Sequence, residues 1–315
     1  MSKHRDSKGR IAWLGLVIVF STAVSARSAT ASAPPARAKL CGAEHGERVV
    51  ETELAGVPAI LRIPSKPSKP PIVLWHGFGP PASEQALMQA FPLDDVPAIK
   101  VYLGLPMFGK RAPKGGTDEL VRRQRDDVGL LVFQPVVVGA ADELPRVIQA
   151  LEQQQCMRAG DRIGLFGFSA GGASALLALA RREVPIGAAV LLNPSTGLTA
   201  SVQAYEHATG QPYAWTPQSR GLAKRSDAVG HVAEIVAGTP PPAILLVRGD
   251  KDDVISASSV SALKEALESR YALAHESDRF RYSQLDELPH NLAGLAASDT
   301  LQQQVAAWFK TEKGT

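Results

Sequence analysis

Gly164-Leu165-Phe166-Gly167-Phe168-Ser169-Ala170-Gly171-Gly172 is an apolar run that ends in Gly-x-Ser-x-Gly and passes into the Ala/Leu-rich stretch 172–182. Read locally, this is a buried strand, a tight turn and a helix. A serine hydroxyl is a poor nucleophile unless it is raised clear of the surface beside a base. A strand-to-helix turn raises it but crowds the backbone two residues to either side, and glycine at 167 and 171 removes the Cβ atoms that would collide. The helix after the turn aims its N-terminal amides at the point where negative charge develops. Ser169 is therefore the candidate nucleophile.

Working outward, Ile72-Val73-Leu74-Trp75-His76-Gly77-Phe78-Gly79 ends another apolar run in a glycine-rich loop. Acyl transfer needs two backbone donors for the forming oxyanion, and the amides of Ala170 and Phe78 are the natural pair. His76 lies on that loop, upstream of Ser169, and is read as structuring the loop rather than as the base. Downstream, Ile244–Val247 leads into Arg248-Gly249-Asp250-Lys251-Asp252-Asp253, where three carboxylates compete to orient an imidazole. Phe280–Gln284 leads into Leu285-Asp286-Glu287-Leu288-Pro289-His290, which places a histidine after the last strand. His207, His231 and His275 fall in surroundings that suit surface or packing roles.

Between these landmarks, short apolar runs alternate with helical patterns. The fold class is α/β, with a mostly parallel sheet covered by helices on both faces. Runs at 49–54 and 58–63 read as a hairpin, and Pro64–Pro71, with four prolines, reads as a linker that excludes helix or central strand. Helices are expected near 83–90, 140–155, 258–271 and 300–310. Two stretches break the rhythm: Pro106–Gln134, and Thr196–Pro240 with Tyr205, Tyr213 and Trp215. Long insertions at strand C-terminal ends are usually functional, and 196–240 is expected to form a short cap.

These motifs resemble the α/β-hydrolase superfamily, nearest its dienelactone-hydrolase and secreted-esterase branches, over residues 48–310. The resemblance rests on His76-Gly77-Phe78, on Gly167-x-Ser169-x-Gly171, on Gly249-x-x-Asp252 and on His290. It implies an eight-stranded sheet, no cofactor and no metal, and a Ser169–His290–Asp252 triad with Phe78 and Ala170 as the oxyanion hole. It favours Asp252 over Asp250 and Asp253 because the family acid often falls three residues after the strand-end glycine. Two departures stand out: Pro289 precedes His290 where glycine is common, and the loop reads His-Gly-Phe-Gly rather than His-Gly-Gly-Gly. The latter resembles enzymes that disfavour esters of bulky tertiary alcohols.

The first 33 residues read as a secretory signal peptide: a basic stretch from Lys3 to Arg10, an apolar run Ile11–Phe20 and small residues to Ala33. The apolar run is too short for a span of about 20 residues, so no stable membrane span is expected after processing. A flexible lead, 34–47, precedes a single domain over 48–315, and the location is secreted or periplasmic. Of the formal charge of +3, residues 1–33 carry +4, so the remainder is slightly acidic and nucleic acid is not an expected partner. An even count of two cysteines, Cys41 and Cys156, permits a disulfide in an oxidising compartment, with two unlinked thiols as the alternative. The expected activity is hydrolysis of a small-molecule carboxylic ester through an acyl-enzyme. A serine peptidase of the same fold and a catalytically silent binding domain are the competing readings.

Overall fold

A mostly parallel sheet of eight strands organises the chain in the computed structural model, which describes residues 39–42, 46–292 and 299–311. The expected signal peptide, 1–33, lies outside the described residues. Strands β1 (Arg48–Leu54) and β2 (Val57–Ile63) form the expected antiparallel hairpin. Ala55 and Gly56 turn it with φ of 50° and 78°, the mirror-image geometry that matches strand twist. Next come β3 (Lys69–Trp75), helix α1 (Glu84–Ala90) capped by the Ser83 side chain, and β4 (Ala98–Leu103). Strand β5 (Ile163–Phe168) runs into α4 (Ala170–Arg181), and then come β6 (Ile186–Leu192), β7 (Ala243–Lys251) and β8 (Phe280–Pro289). The strand order is β1-β2-β4-β3-β5-β6-β7-β8, parallel from β4 to β8.

Alternation along the central strands sends side chains to two separate cores. Trp75, Leu103, Leu165 and Leu246 face one, covered by α3 (Gly139–Gln153), α4 and α8 (Ala257–Leu273). Leu74, Tyr102, Phe166 and Leu245 face the other, covered by α1 and α9 (Asp299–Thr311). Both faces being dry, β5 and β6 are buried along their whole length, which is why they read as continuous apolar runs.

Two expectations change. Strand β3 begins inside the proline linker, with Pro70 and Pro71 in its first half. Its register against β4 slips between Lys69 and Ile72, so the missing N–H groups fall where the ladder is already interrupted. Much of the stretch 106–134 is helical: α2 (Gly116–Val128) continues through π-helical turns (Gly129–Val138) into α3. Helix α2 carries no broad apolar stripe to betray it. It is supported by Glu119 pairing with Arg122 and Arg123, three and four residues on, and by Arg122 with Asp126. At Asp127 the backbone breaks (φ −166°, ψ 95°), and its carboxylate caps the next turn by accepting from the Leu130 amide at 2.8 Å. The 116–153 run contains a window apolar enough to cross a membrane, but half of that window is buried within this fold.

The stretch 196–240 forms α5 (Leu198–Thr209), α6 (Pro217–Ser226) and the short α7 (Val232–Ile235). Leu198, Val202 and Leu222 pack with Phe133 and Val137 of the π-helical turns and with Ala170 and Ala173 of α4, beside the turn that carries Ser169.

The lead is not free where it is described. Cys41 and Cys156 are bonded, S–S 2.04 Å, across 115 residues of chain. The end of α3 supplies acceptors to the same segment: Gln153 O to Lys39 Nζ (2.7 Å), Gln154 O to the Cys41 amide (3.2 Å) and Gln154 Oε1 to the Leu40 amide (3.1 Å). Closing so long a loop restricts the unfolded chain by about 4–5 kcal/mol on the loop-entropy scale. The double variant Cys41→Ser/Cys156→Ser is expected to lose several kcal/mol of unfolding free energy in urea. Wild-type stability in that variant would show the tie to be dispensable.

Candidate active site

The chemistry-bearing residues meet at the C-terminal ends of the parallel strands. At the end of β5, Ser169 has φ 53° and ψ −114°, outside the favoured regions for an L-residue. The turn is possible because its neighbours lack side chains. A Cβ at Gly167 would lie 2.4 Å from Gly171 O, and one at Gly171 would lie 2.5 Å from both Trp75 O and His76 O. The turn is held from behind by backbone bonds: Ser169 N donates to Leu192 O (3.1 Å), and Ser169 O accepts from Ser195 N (3.1 Å).

Two further residues complete a chain of hydrogen bonds. His290 Nε2 lies 2.9 Å from Ser169 Oγ, and His290 Nδ1 lies 3.0 Å from Asp252 Oδ2. With Nδ1–H donating to the carboxylate, Nε2 is left to accept from the serine hydroxyl. The other carboxylate oxygen, Asp252 Oδ1, accepts from the amides of Val254 (3.0 Å) and Ile255 (2.9 Å), which fixes its plane. The Asp252 side chain is fully buried, and Phe168 packs against the His290 ring at 5.3 Å between centroids. Of the three competing aspartates, the structure brings only Asp252 to His290. Asp250 is partly exposed with Lys251 Nζ at 3.7 Å, and Asp253 is exposed.

The expected oxyanion donors lie on the two backbones that meet at this turn. Ala170 is the first residue of α4, so its amide falls outside the helix's own ladder. Phe78 follows Gly77, where a Cβ would stand 2.9 Å from Ser169 Cβ, and Gly171 N donates to His76 O at 3.1 Å. The two strand ends are thus laced together directly behind the serine.

His76 is not part of the hydrogen-bond chain. Its Nε2 accepts from the Leu105 amide (3.2 Å), so its proton sits on Nδ1 and goes to Gly77 O (2.8 Å). Burial pushes its pKa down to about 4, only partly offset by the bond to Gly77. The ring is a neutral brace between the β3 and β4 loops, and Phe108 packs edge-on against it at 5.5 Å and stacks on Phe78 at 5.5 Å. The aromatics of the stretch 196–240 reach beyond one another. Tyr213 and Trp215 meet at 4.9 Å, and Tyr213 Oη also donates to Asp127 Oδ1 at 2.6 Å, joining the two insertions. Desolvation first, then that bond, pushes the Tyr213 pKa up to about 12, so the phenol keeps its proton. One residue beside the site escaped sequence reasoning: Asn193, at the end of β6, is fully buried between the acid and histidine segments. An Asn-Pro after an apolar strand reads simply as a turn.

Residues 139–314 match the prolyl oligopeptidase family, a stretch that holds Ser169, Asp252 and His290. The chain belongs to the prolyl oligopeptidase family. It is a serine hydrolase of the α/β-hydrolase superfamily, as its Gly-x-Ser-x-Gly strand and eight-stranded sheet lead one to expect. No curated protein sequence matches this family member. Among solved structures, it is similar to TT1662 from Thermus thermophilus, with a TM-score of 0.63 and 18% identity, over 84% of this chain and 98% of that one. Dipeptidyl peptidase 4 of Porphyromonas gingivalis gives 0.57 and 18% over 84% of this chain, which spans only 35% of that protein. The Pyrococcus furiosus esterase Pf2001 gives 0.55 and 16%, over 84% of this chain and 90% of that one. Likenesses at these identities establish the shared fold.

The depressed pKa of His76 makes a stability prediction. Between an unfolded value near 6.5 and about 4, the unfolded chain binds a proton that folded His76 refuses. Its contribution is therefore complete above pH 6.5 and lost as pH falls to about 4, a change of about 3 kcal/mol. In His76→Gln, urea midpoints measured from pH 7 to 4 are expected to fall less steeply than in wild type. Parallel slopes would remove His76 as a source of the acid sensitivity.

Proposed function

We propose that this family member hydrolyses small-molecule carboxylic esters through an acyl-enzyme on Ser169. The observation that carries the reading is the unbroken chain Ser169 Oγ···Nε2–His290–Nδ1···Oδ2 Asp252, with bonds of 2.9 and 3.0 Å. His290 Nε2 takes the Ser169 proton as Oγ attacks the ester carbonyl, and Asp252 stabilises the imidazolium so formed. The carbonyl oxygen, now negative, is held by the Ala170 and Phe78 amides. Collapse expels the alcohol, protonated by His290, and leaves the acyl-serine. Water then repeats the sequence with His290 again as base, releasing the carboxylic acid and free Ser169.

A second reading, a serine peptidase, draws support from the match of 139–314 to a peptidase family. The two readings differ in the leaving group: an amine must be protonated as it departs, whereas an alkoxide or phenolate leaves more readily. A panel of p-nitrophenyl esters of graded acyl length, run beside aminoacyl p-nitroanilides, separates them. Faster turnover of the anilides would make the protein a peptidase rather than an esterase. Residues 1–33 and the Cys41–Cys156 disulfide together support export to a secreted or periplasmic location, where such bonds persist.

Ser169→Ala is expected to lower kcat by several orders of magnitude and to abolish labelling by serine-directed phosphonates. Wild-type turnover in that variant would exclude the acyl-enzyme.

The ascending limb of kcat/KM against pH should persist in His76→Gln, because a ring with a pKa near 4 is neutral throughout. Asp252→Asn should cost about 10²–10⁴-fold in kcat by favouring the wrong imidazole tautomer, and exposed Asp253→Asn should cost less than about tenfold. Equal losses in the two aspartate variants, at matched stability, would break the assignment of the acid.

A further inference from the structure

Strands β7 and β8 carry the acid and the histidine, and their ladder is irregular where it matters. They pair in register as far as Gly249↔Leu285, then slip before resuming at Lys251↔Pro289. The chains nevertheless press together there, since a Cβ at Gly249 would lie 2.0 Å from Leu288 O. A slipped register leaves peptide groups that the ladder does not serve, and buried peptide groups need partners.

One side chain serves both sides of this gap. Asn193 Oδ1 accepts the Gly249 amide at 2.8 Å, and Asn193 Nδ2 donates to Pro289 O at 3.3 Å. Gly249 opens the turn to the acid, its carbonyl accepting from the Asp252 amide at 3.2 Å, and Pro289 is bonded directly to His290. The Asn193 backbone has φ 42°, a left-handed conformation that asparagine tolerates better than most residues. Its amide continues the β6 ladder to Val247 O at 2.9 Å. Its neighbours Leu192 and Ser195 hold the Ser169 backbone, the first by accepting from the Ser169 amide and the second by donating to the Ser169 carbonyl. A four-residue segment at the end of β6 thus touches the serine turn, the acid turn and the histidine segment.

We infer that Asn193 is the positioning residue of this site, its side-chain amide setting the separation of Asp252 and His290 by bridging Gly249 N–H to Pro289 C=O. The inference rests on the reading of Ser169, His290 and Asp252 as a catalytic triad. Leucine would fill the volume but serve neither peptide group, and aspartate would keep the acceptor and lose the donor.

The test compares wild type with Asn193→Gly, which suits the left-handed backbone and deletes the amide, and with Asn193→Asp. Three quantities are read: the urea midpoint, kcat and KM separately on a p-nitrophenyl ester, and the far-downfield proton resonance of a His290 Nδ1–H shared with Asp252. Displacement of reacting groups by about an ångström costs on the order of 10²-fold. Asn193→Gly should therefore lose roughly 10–100-fold in kcat with KM little changed, and its downfield resonance should shift or vanish while unfolding stays cooperative. Asn193→Asp should also lose kcat, because a carboxylate cannot donate to Pro289 O. Wild-type kcat and resonance in Asn193→Gly would overturn the inference. So would loss of cooperative unfolding in both variants, which would make Asn193 a residue of the fold at large. The resonance needs no substrate, so it tests Asn193 even if the wild type fails to turn over esters. That failure would count against the proposed function alone.

Discussion

The turn at Ser169 is the constraint on which the rest of the site depends. A non-glycine residue at φ 53° and ψ −114° is held only where its surroundings over-determine it. Here β5, buried on both faces, delivers the chain to the turn, and α4 carries it away packed against α5 and α6. Contacts of 2.4–2.5 Å between a would-be Cβ and the neighbouring carbonyl groups leave no room for a side chain at 167 or 171. The same closeness draws His76 and Gly77 against the start of α4, with Gly171 N donating to His76 O. The strained serine turn and the lacing of the β3 end to the start of α4 are therefore one geometric fact.

Hydrogen-bond partners then set apart two histidines that are both buried. His76 is enclosed with both ring nitrogens committed to backbone groups, and desolvation holds it neutral. His290 is also buried, but one nitrogen faces a fully buried carboxylate and the other a hydroxyl. One ring braces two loops, and the other links the buried Asp252 carboxylate to the Ser169 hydroxyl. A ring's hydrogen-bond partners, more than its burial, decide which of these it does.

Around this centre, three ties join distant parts of the chain, two of them polar contacts and one a covalent bond. Asp127 interrupts the long helical run, caps the π-helical turns at Leu130 and accepts the Tyr213 hydroxyl, linking α2 to the segment between α5 and α6. The disulfide fastens the lead to the end of α3, on a helix whose inner face belongs to the core beneath the sheet. Asn193 spans the slipped end of the β7–β8 ladder.

While the serine, acid and histidine order came from the resemblance to α/β-hydrolases, local pattern by itself determined the alternation of strands and helices, the hairpin at β1 and β2 and the serine turn. Those features are written in periods of two and 3.6 and in the steric needs of glycine, which act over a few residues. Helix α2 escaped because ion pairs rather than an apolar stripe support it, and the start of β3 because a register slip accommodates its prolines. Which aspartate meets the histidine, whether Cys41 meets Cys156 and what Asn193 bridges were decided only by the tertiary structure. Each depends on where a side chain points after a turn, or on residues 38 to 121 apart in sequence coming within bonding distance. Neither is carried by local periodicity, because the sheet brings these segments together through the combined packing of both cores.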